Sequence, residues 1–118
     1  MDSRVAFVLL IFFFSTGFSF STEERIAESM SMAQKNYEKK NWPGILREAR
    51  KFYQWGEFEY VEKCLKIAEP IVAAKNSFTG ALHLATLYGK INQVKKKEYW
   101  LTVYERIQKE RKKKWKKN

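Results

Sequence analysis

Two segments of this sequence repeat one pattern of residue types at an offset of 36 positions. Each segment runs from a small residue to an aromatic residue, then through a tight turn into a second apolar stretch. The apolar positions recur at steps of three and four, which predicts α-helices. A helical pattern that recurs after 36 residues predicts stacked pairs of helices. The corresponding residues are, in order, Ile45, Ala49, Phe52, Gly56, Phe58, Val61, Leu65 and Ala68 in the first segment, and Ala81, Ala85, Tyr88, Asn92, Val94, Lys97, Leu101 and Tyr104 in the second.

The rest of the chain also favours an all-α fold of about five antiparallel helices. Only 5 Gly and 2 Pro are present, which is too few for the many turns of a β-sandwich or barrel. We expect Pro70 to end or kink the third helix, because an interior proline costs about 3 kcal/mol. The predicted helices cover about residues 22–40 and 43–55, and three more begin near residues 57, 77 and 92.

The repeated pattern resembles the tetratricopeptide repeat, a helix-turn-helix unit of about 34 residues. The resemblance covers about residues 42–108, with the first helix as a preceding half-repeat. Ala49 occupies the close-packing position, Phe52 the aromatic position and Gly56 the turn. The second segment departs from the family pattern at its turn, where Asn92 replaces the glycine. The resemblance implies a right-handed α-superhelix of two repeats plus one flanking helix, and a plain five-helix bundle is the alternative.

The resemblance also implies a binding site, because the first helix of each pair lines a groove that holds peptide segments of partner proteins. Some family members hold a terminal carboxylate there with Lys and Asn residues, and this chain lacks that set. Because of the groove we expect a protein partner, such as a larger envelope complex, and formation of a homodimer is the other possibility. The residues that face the groove by position are Leu46, Arg50, Tyr53, Gln54, Leu82, His83, Thr86 and Lys90.

The positive charge is concentrated at the C-terminal end. Residues 95–118 carry 11 basic and 3 acidic side chains, a net of +8, out of +10 for the whole chain. One interpretation is the solvated end of a helix; the other is contact with an anionic membrane surface, a cell-wall polymer or an acidic protein. Within the tail 109–118, Trp115 is the single aromatic beside seven basic residues, and this lack of interleaved stacking aromatics disfavours nucleic acid. The proposed contact residues are Lys112, Lys113, Lys114, Trp115, Lys116 and Lys117.

The N-terminal segment 1–21 has the pattern of a signal peptide or a membrane anchor. Its apolar run from Val5 to Phe14 is shorter than the roughly 20 residues of a membrane span and fits the roughly 7–15 residues of a signal-peptide core. Ser19 and Ser21 have the spacing of a cleavage site, which predicts a mature protein that begins at Thr22. We expect an exported protein, whether periplasmic, secreted or anchored outside the cytoplasm.

The inventory of reactive side chains argues against an enzyme. The chain contains one Cys, one His and one Asp, so neither a zinc site of four Cys and His residues nor an internal Ser-His-Asp triad can be assembled. We expect no cofactor, no metal and no catalysis, and Cys64 is expected to be a buried helix residue. The resulting hypothesis is a scaffold or accessory subunit of an envelope-associated complex, with a helical domain over 22–108 and a basic tail over 109–118. The alternative is an anionic-surface binder that acts through the tail.

Overall fold

Five α-helices joined by short turns make up residues 22–117, the part of the chain that this computed structural model describes. The described part of the first helix, α1, covers residues 22–38. It is followed by α2 (Trp42–Gln54), α3 (Phe58–Lys75), α4 (Phe78–Lys90) and α5 (Val94–Lys117). No strand occurs within 22–117. The predicted all-α fold of about five helices is confirmed.

All four turns between the helices have the same conformation. In each turn one residue has a positive φ, and its N–H donates to the carbonyl oxygen three residues earlier. The next N–H in the chain donates to the carbonyl oxygen five residues earlier, as from Glu57 to Phe52 at 2.9 Å and from Gln93 to Tyr88 at 2.9 Å. This arrangement satisfies the last carbonyls of each helix, and Gly and Asn are the residues that adopt it most readily. The positive-φ residues are Lys40 (56°), Gly56 (75°), Asn76 (52°) and Asn92 (61°).

The starts of α2 and α4 repeat each other in the same way. The side chain of Asn41 accepts a hydrogen bond from the N–H of Gly44 at 3.2 Å, and Ser77 accepts one from Gly80 at 3.0 Å. Both helices have 13 residues, and their ends lie 36 positions apart. The backbone conformation of the turns and helix starts thus repeats at the same 36-residue offset as the sequence pattern. Because the turn after α1 matches the turn after α3, α1 occupies the place of the second helix of a repeat.

The core lies between the paired helices. Ala49, at the predicted close-packing position, and Ala85, its equivalent 36 positions later, are 0% and 1% exposed, as close packing of the paired helices requires. The aromatic residues one turn further on, Phe52 and Tyr88, are among the largest fully buried side chains. Cys64 is also fully buried, as expected for a small residue in a helix core.

The third helix does not end at Pro70, contrary to one of the two outcomes expected for this proline. α3 continues to Lys75, five residues further. Ile71 and Val72, on the turn after the proline, are 6% and 0% exposed. Burial of two such side chains contributes about 1.5–3 kcal/mol each, which offsets the cost of an interior proline.

The close approach of α4 to α3 leads to a prediction about Gly80. A Cβ atom at Gly80 would lie 2.9 Å from both Cγ atoms of the fully buried Val72. Val72 cannot turn away, because a β-branched residue has one strongly preferred rotamer in a helix. We expect Gly80→Ala to lower the free energy of unfolding by about 1–3 kcal/mol through overpacking. Urea denaturation followed by circular dichroism measures this change.

The matched control is Gly89→Ala in the same helix. A Cβ atom there would meet only the flexible end of Lys97, at 3.1 Å from Cδ. Because Ala favours a helix over Gly by about 1 kcal/mol, this variant should be as stable as the parent or more so. Equal stability of the two variants would contradict the close contact between α3 and α4.

Candidate protein-binding groove

The candidate groove lies between α2 and α4, the two helices that are equivalent in the repeat. The ring centroids of Trp42 and His83 are 6.1 Å apart. Arg50 Nη2 lies 3.1 Å from His83 Nδ1, within hydrogen-bond distance. His83 on α4 is therefore held between two side chains of α2 that are two helical turns apart. These contacts fix the relative position of the two helices at this surface.

The contact with Arg50 determines the protonation of His83. A guanidinium group has only donors, so His83 Nδ1 must accept and the proton must lie on Nε2. Burial and, after it, the positive charge of Arg50 lower the pKa of His83. The imidazole is consequently neutral at neutral pH, and the positive charge of this part of the groove belongs to Arg50.

A second contact connects the other ends of α2 and α4. Lys90 Nζ lies 5.4 Å from the centroid of the Tyr53 ring, close enough for a cation–π interaction. Tyr53 is half-buried, because Phe58 at the start of α3 packs against it with ring centroids 5.6 Å apart. Tyr53 thus presents part of an aromatic ring to solvent beside a cation.

The remaining predicted groove residues are exposed on the same two helices. Gln54 follows Tyr53 at the end of α2, and both Leu82 and Thr86 lie on α4. Thr86 Oγ1 donates to the backbone carbonyl of Leu82 at 2.9 Å, so its hydroxyl is occupied within the helix. The structure therefore pairs Arg50 with His83 and Tyr53 with Lys90.

The assignment of Leu46 to the open face of the groove is wrong. Leu46 is fully buried and belongs to the hydrophobic core. Trp42 and Arg50 lie one turn to either side of it on the same face of α2, and both contact His83. α4 therefore covers this stripe of α2. Trp42, which lies just before the predicted helix over about 43–55, is the first residue of α2 and part of the groove.

The basic C-terminal segment continues α5 as a helix through residue 117. Lys112, Lys113, Lys114 and Trp115 are exposed, and Trp115 is 83% exposed. The side chains of Lys116 and Lys117 lie outside the described part of the structure. A cleft of about 390 Å³ lies where this segment passes the start of α4. It is lined by Phe78, Gln108, Arg111, Lys112 and Trp115.

Residues 22–117 contain no group of three or more His, Cys, Asp and Glu side chains placed to hold a metal ion. Within the described helices, none combines the length and the apolar character that crossing a membrane requires. The predicted signal peptide or anchor falls on residues 1–21, outside the described residues. Comparison with protein families, curated proteins and solved structures finds no match to this chain.

Proposed function

We propose that this protein is a tetratricopeptide-like interaction scaffold, an accessory subunit of an envelope-associated complex, and that it binds a partner protein in the groove between α2 and α4. The observation that carries the proposal is the pairing of Arg50 with His83 and of Tyr53 with Lys90 across two equivalent helices. Tyr and Arg most often dominate binding energy at protein interfaces. No catalysis is part of this proposal.

The chemistry of the groove indicates what kind of segment it would hold. Arg50 and Lys90 supply two cations, and Tyr53 supplies a half-buried aromatic surface. His83 is neutral and keeps a donor at Nε2, since its other ring nitrogen faces Arg50. A partner segment with a carboxylate beside an apolar or aromatic residue matches this combination. The recurring turns and caps support the repeat interpretation on which the groove rests.

The test compares two double variants of the full chain as baits for affinity capture from the native cell. Arg50→Ala/Tyr53→Ala should reduce partner recovery by about 30-fold or more, the effect of losing about 2 kcal/mol at a binding hot spot. The control, Tyr99→Ala/Arg106→Ala, removes the same two residue types from exposed positions on α5. The control should keep the partner, and circular dichroism should show equal helicity in both. Equal recovery with both variants would contradict groove binding.

A second candidate function is binding to an anionic membrane surface or cell-wall polymer through the basic end of α5. The specific observation in its favour is the 83% exposure of Trp115 beside basic side chains. Each Lys near an anionic membrane contributes about 1 kcal/mol, and Trp is enriched at membrane interfaces. Replacing Lys112, Lys113, Lys114, Lys116 and Lys117 by Gln should then abolish sedimentation with anionic vesicles. If this variant also lost the partner at every salt concentration, surface binding would replace the scaffold proposal.

Export from the cytoplasm is part of the same proposal, on the basis of the apolar run and the Ser19 and Ser21 spacing. We expect protein recovered from its native cell to begin at Thr22. Intact-mass measurement tests this, and a mass that includes Met1 would indicate a retained anchor instead.

A further inference from the structure

The repeat leaves one surface uncovered at its C-terminal end. α4 covers the outward surface of α2 and α3, and no helix within 22–117 covers the corresponding surface of α4 and α5. Two equivalent residues show the difference. Leu46 on α2 is 0% exposed, whereas Leu82, 36 positions later on α4, is 38% exposed. Leu82 therefore lies where the next helix of a stack would cover it.

The structure itself shows how a helix fits such a surface. α4 lies on α2 through the contacts of His83 with Trp42 and Arg50. It approaches α3 so closely that Gly80 faces Val72 without room for a methyl group. The positions 36 residues after Trp42 and Val72 are Phe78 and Gln108, and both are half-buried at the uncovered surface.

The uncovered surface combines an apolar strip with a basic rim. The ring of Phe78 packs against Tyr104 with centroids 6.0 Å apart, and the Arg111 guanidinium lies 4.3 Å from the Phe78 centroid. Leu82 extends the strip by one helical turn along α4. The cleft of about 390 Å³ beside Phe78 is bordered by Arg111, Lys112 and Trp115. We call this surface, formed by Phe78, Leu82, Tyr104, Gln108, Arg111, Lys112 and Trp115, the end surface.

We propose that the end surface docks an acidic amphipathic helix of a partner protein, in the place that the first helix of a third repeat would occupy. The occupant is a helix because α4 covers the equivalent surface as a helix. It is acidic because residues 95–118, which include the basic rim, carry a net charge of +8. A second copy of this chain would place the same basic residues against each other, which is unfavourable. The end surface is a second interaction site beyond the groove, and it shares only Leu82 with the predicted groove residues.

The experiment uses the full chain as the target of a displayed library of helical peptides of 13 residues, the length of α4. The peptides keep an apolar stripe at helical spacing and vary in the residues beside it. Enriched peptides should carry Asp and Glu next to the stripe. Each is then synthesised and titrated calorimetrically against the parent and against variants. Leu82→Glu should weaken binding at least tenfold, and Lys112→Glu provides an independent exposed variant that should also weaken it.

The groove variant Arg50→Ala/Tyr53→Ala separates this proposal from the proposed function. Peptides that bind the end surface should bind this variant with unchanged affinity. Peptides that lose affinity only for this variant would support the groove and overturn the end surface. The proposal is also overturned if no enriched peptide is sensitive to Leu82→Glu, or if neutral and basic peptides bind equally well. If the chain dimerises and Leu82→Glu abolishes the dimer, the end surface belongs to a second copy of the chain. If anionic vesicles bind the chain without displacing the peptides, and Lys112→Glu abolishes this vesicle binding, the basic rim belongs to a membrane contact and the proposal is overturned.

Discussion

In the folded protein, Cys64 should react with a thiol reagent about 1,000-fold more slowly than an unperturbed cysteine, because only the thiolate is nucleophilic. Burial, and after it the negative charge of Glu48, raises the pKa of the Cys64 thiol from 9.0 to about 12. At pH 8 the thiolate fraction therefore falls about a thousandfold. Cys64 is also fully buried, so the folded helices hinder direct attack on the thiol as well.

The measurement compares reaction rates with a disulfide reagent at pH 8 in buffer and in denaturant. The control is Lys63→Cys in a Cys64→Ala background, which moves the thiol by one position to an exposed site on the same helix. That thiol should react at nearly the same rate under both conditions. Fast labelling of Cys64 in buffer would mean that α3 does not pack against α2 as described.

The positions of the helices could be predicted from the sequence because their ends carry local signals. Ser77 caps α4 with its own side chain, and Gly56 and Asn92 adopt the left-handed conformation that ends a helix. These signals depend only on neighbouring residues, and they recur at 36 positions. Pro70 is the exception, since its effect on α3 depends on how deeply the following turn is buried.

The neighbours of each helix could not be predicted in the same way. Leu46 and Leu82 have the same place in the pattern, yet one is fully buried and the other is 38% exposed. The difference depends on whether another helix packs over the residue, and periodicity within one helix does not contain that information. The resemblance to a repeat family placed Arg50 and His83 on one groove, but their contact depends on the relative position of two helices.

A polar cluster between α3 and α5 had no signal in the sequence. Trp100 fits the apolar face of α5, but its Nε1–H donates to Glu69 Oε1 on α3 at 2.7 Å. Lys96 Nζ contacts both oxygens of the same carboxylate, at 2.9 and 3.3 Å. The positions 36 residues earlier than Glu69 and Trp100 are the small, buried residues Ala33 and Cys64. The second repeat therefore fills this space with a large aromatic and a paired carboxylate.

This cluster leads to the largest stability effect that we expect. Trp100 is 2% exposed, so Trp100→Ala should leave a cavity between α3 and α5. The loss should be about 3–5 kcal/mol in the free energy of unfolding, as for other buried aromatics. Glu69→Ala should cost about 1–3 kcal/mol, because it leaves the buried indole N–H without its acceptor. Urea denaturation gives both values.

The combined variant distinguishes the hydrogen bond from simple packing. If the indole N–H and the Glu69 carboxylate stabilise each other, the double variant Glu69→Ala/Trp100→Ala should cost less than the two single changes together. Tyr99→Ala is the control, because Tyr99 adjoins Trp100 but is 57% exposed, and a surface change of this kind should cost under about 1 kcal/mol. Additive losses would show that Trp100 contributes by volume alone, and a Trp100→Ala loss as small as that of Tyr99→Ala would contradict the burial of Trp100 beside Glu69.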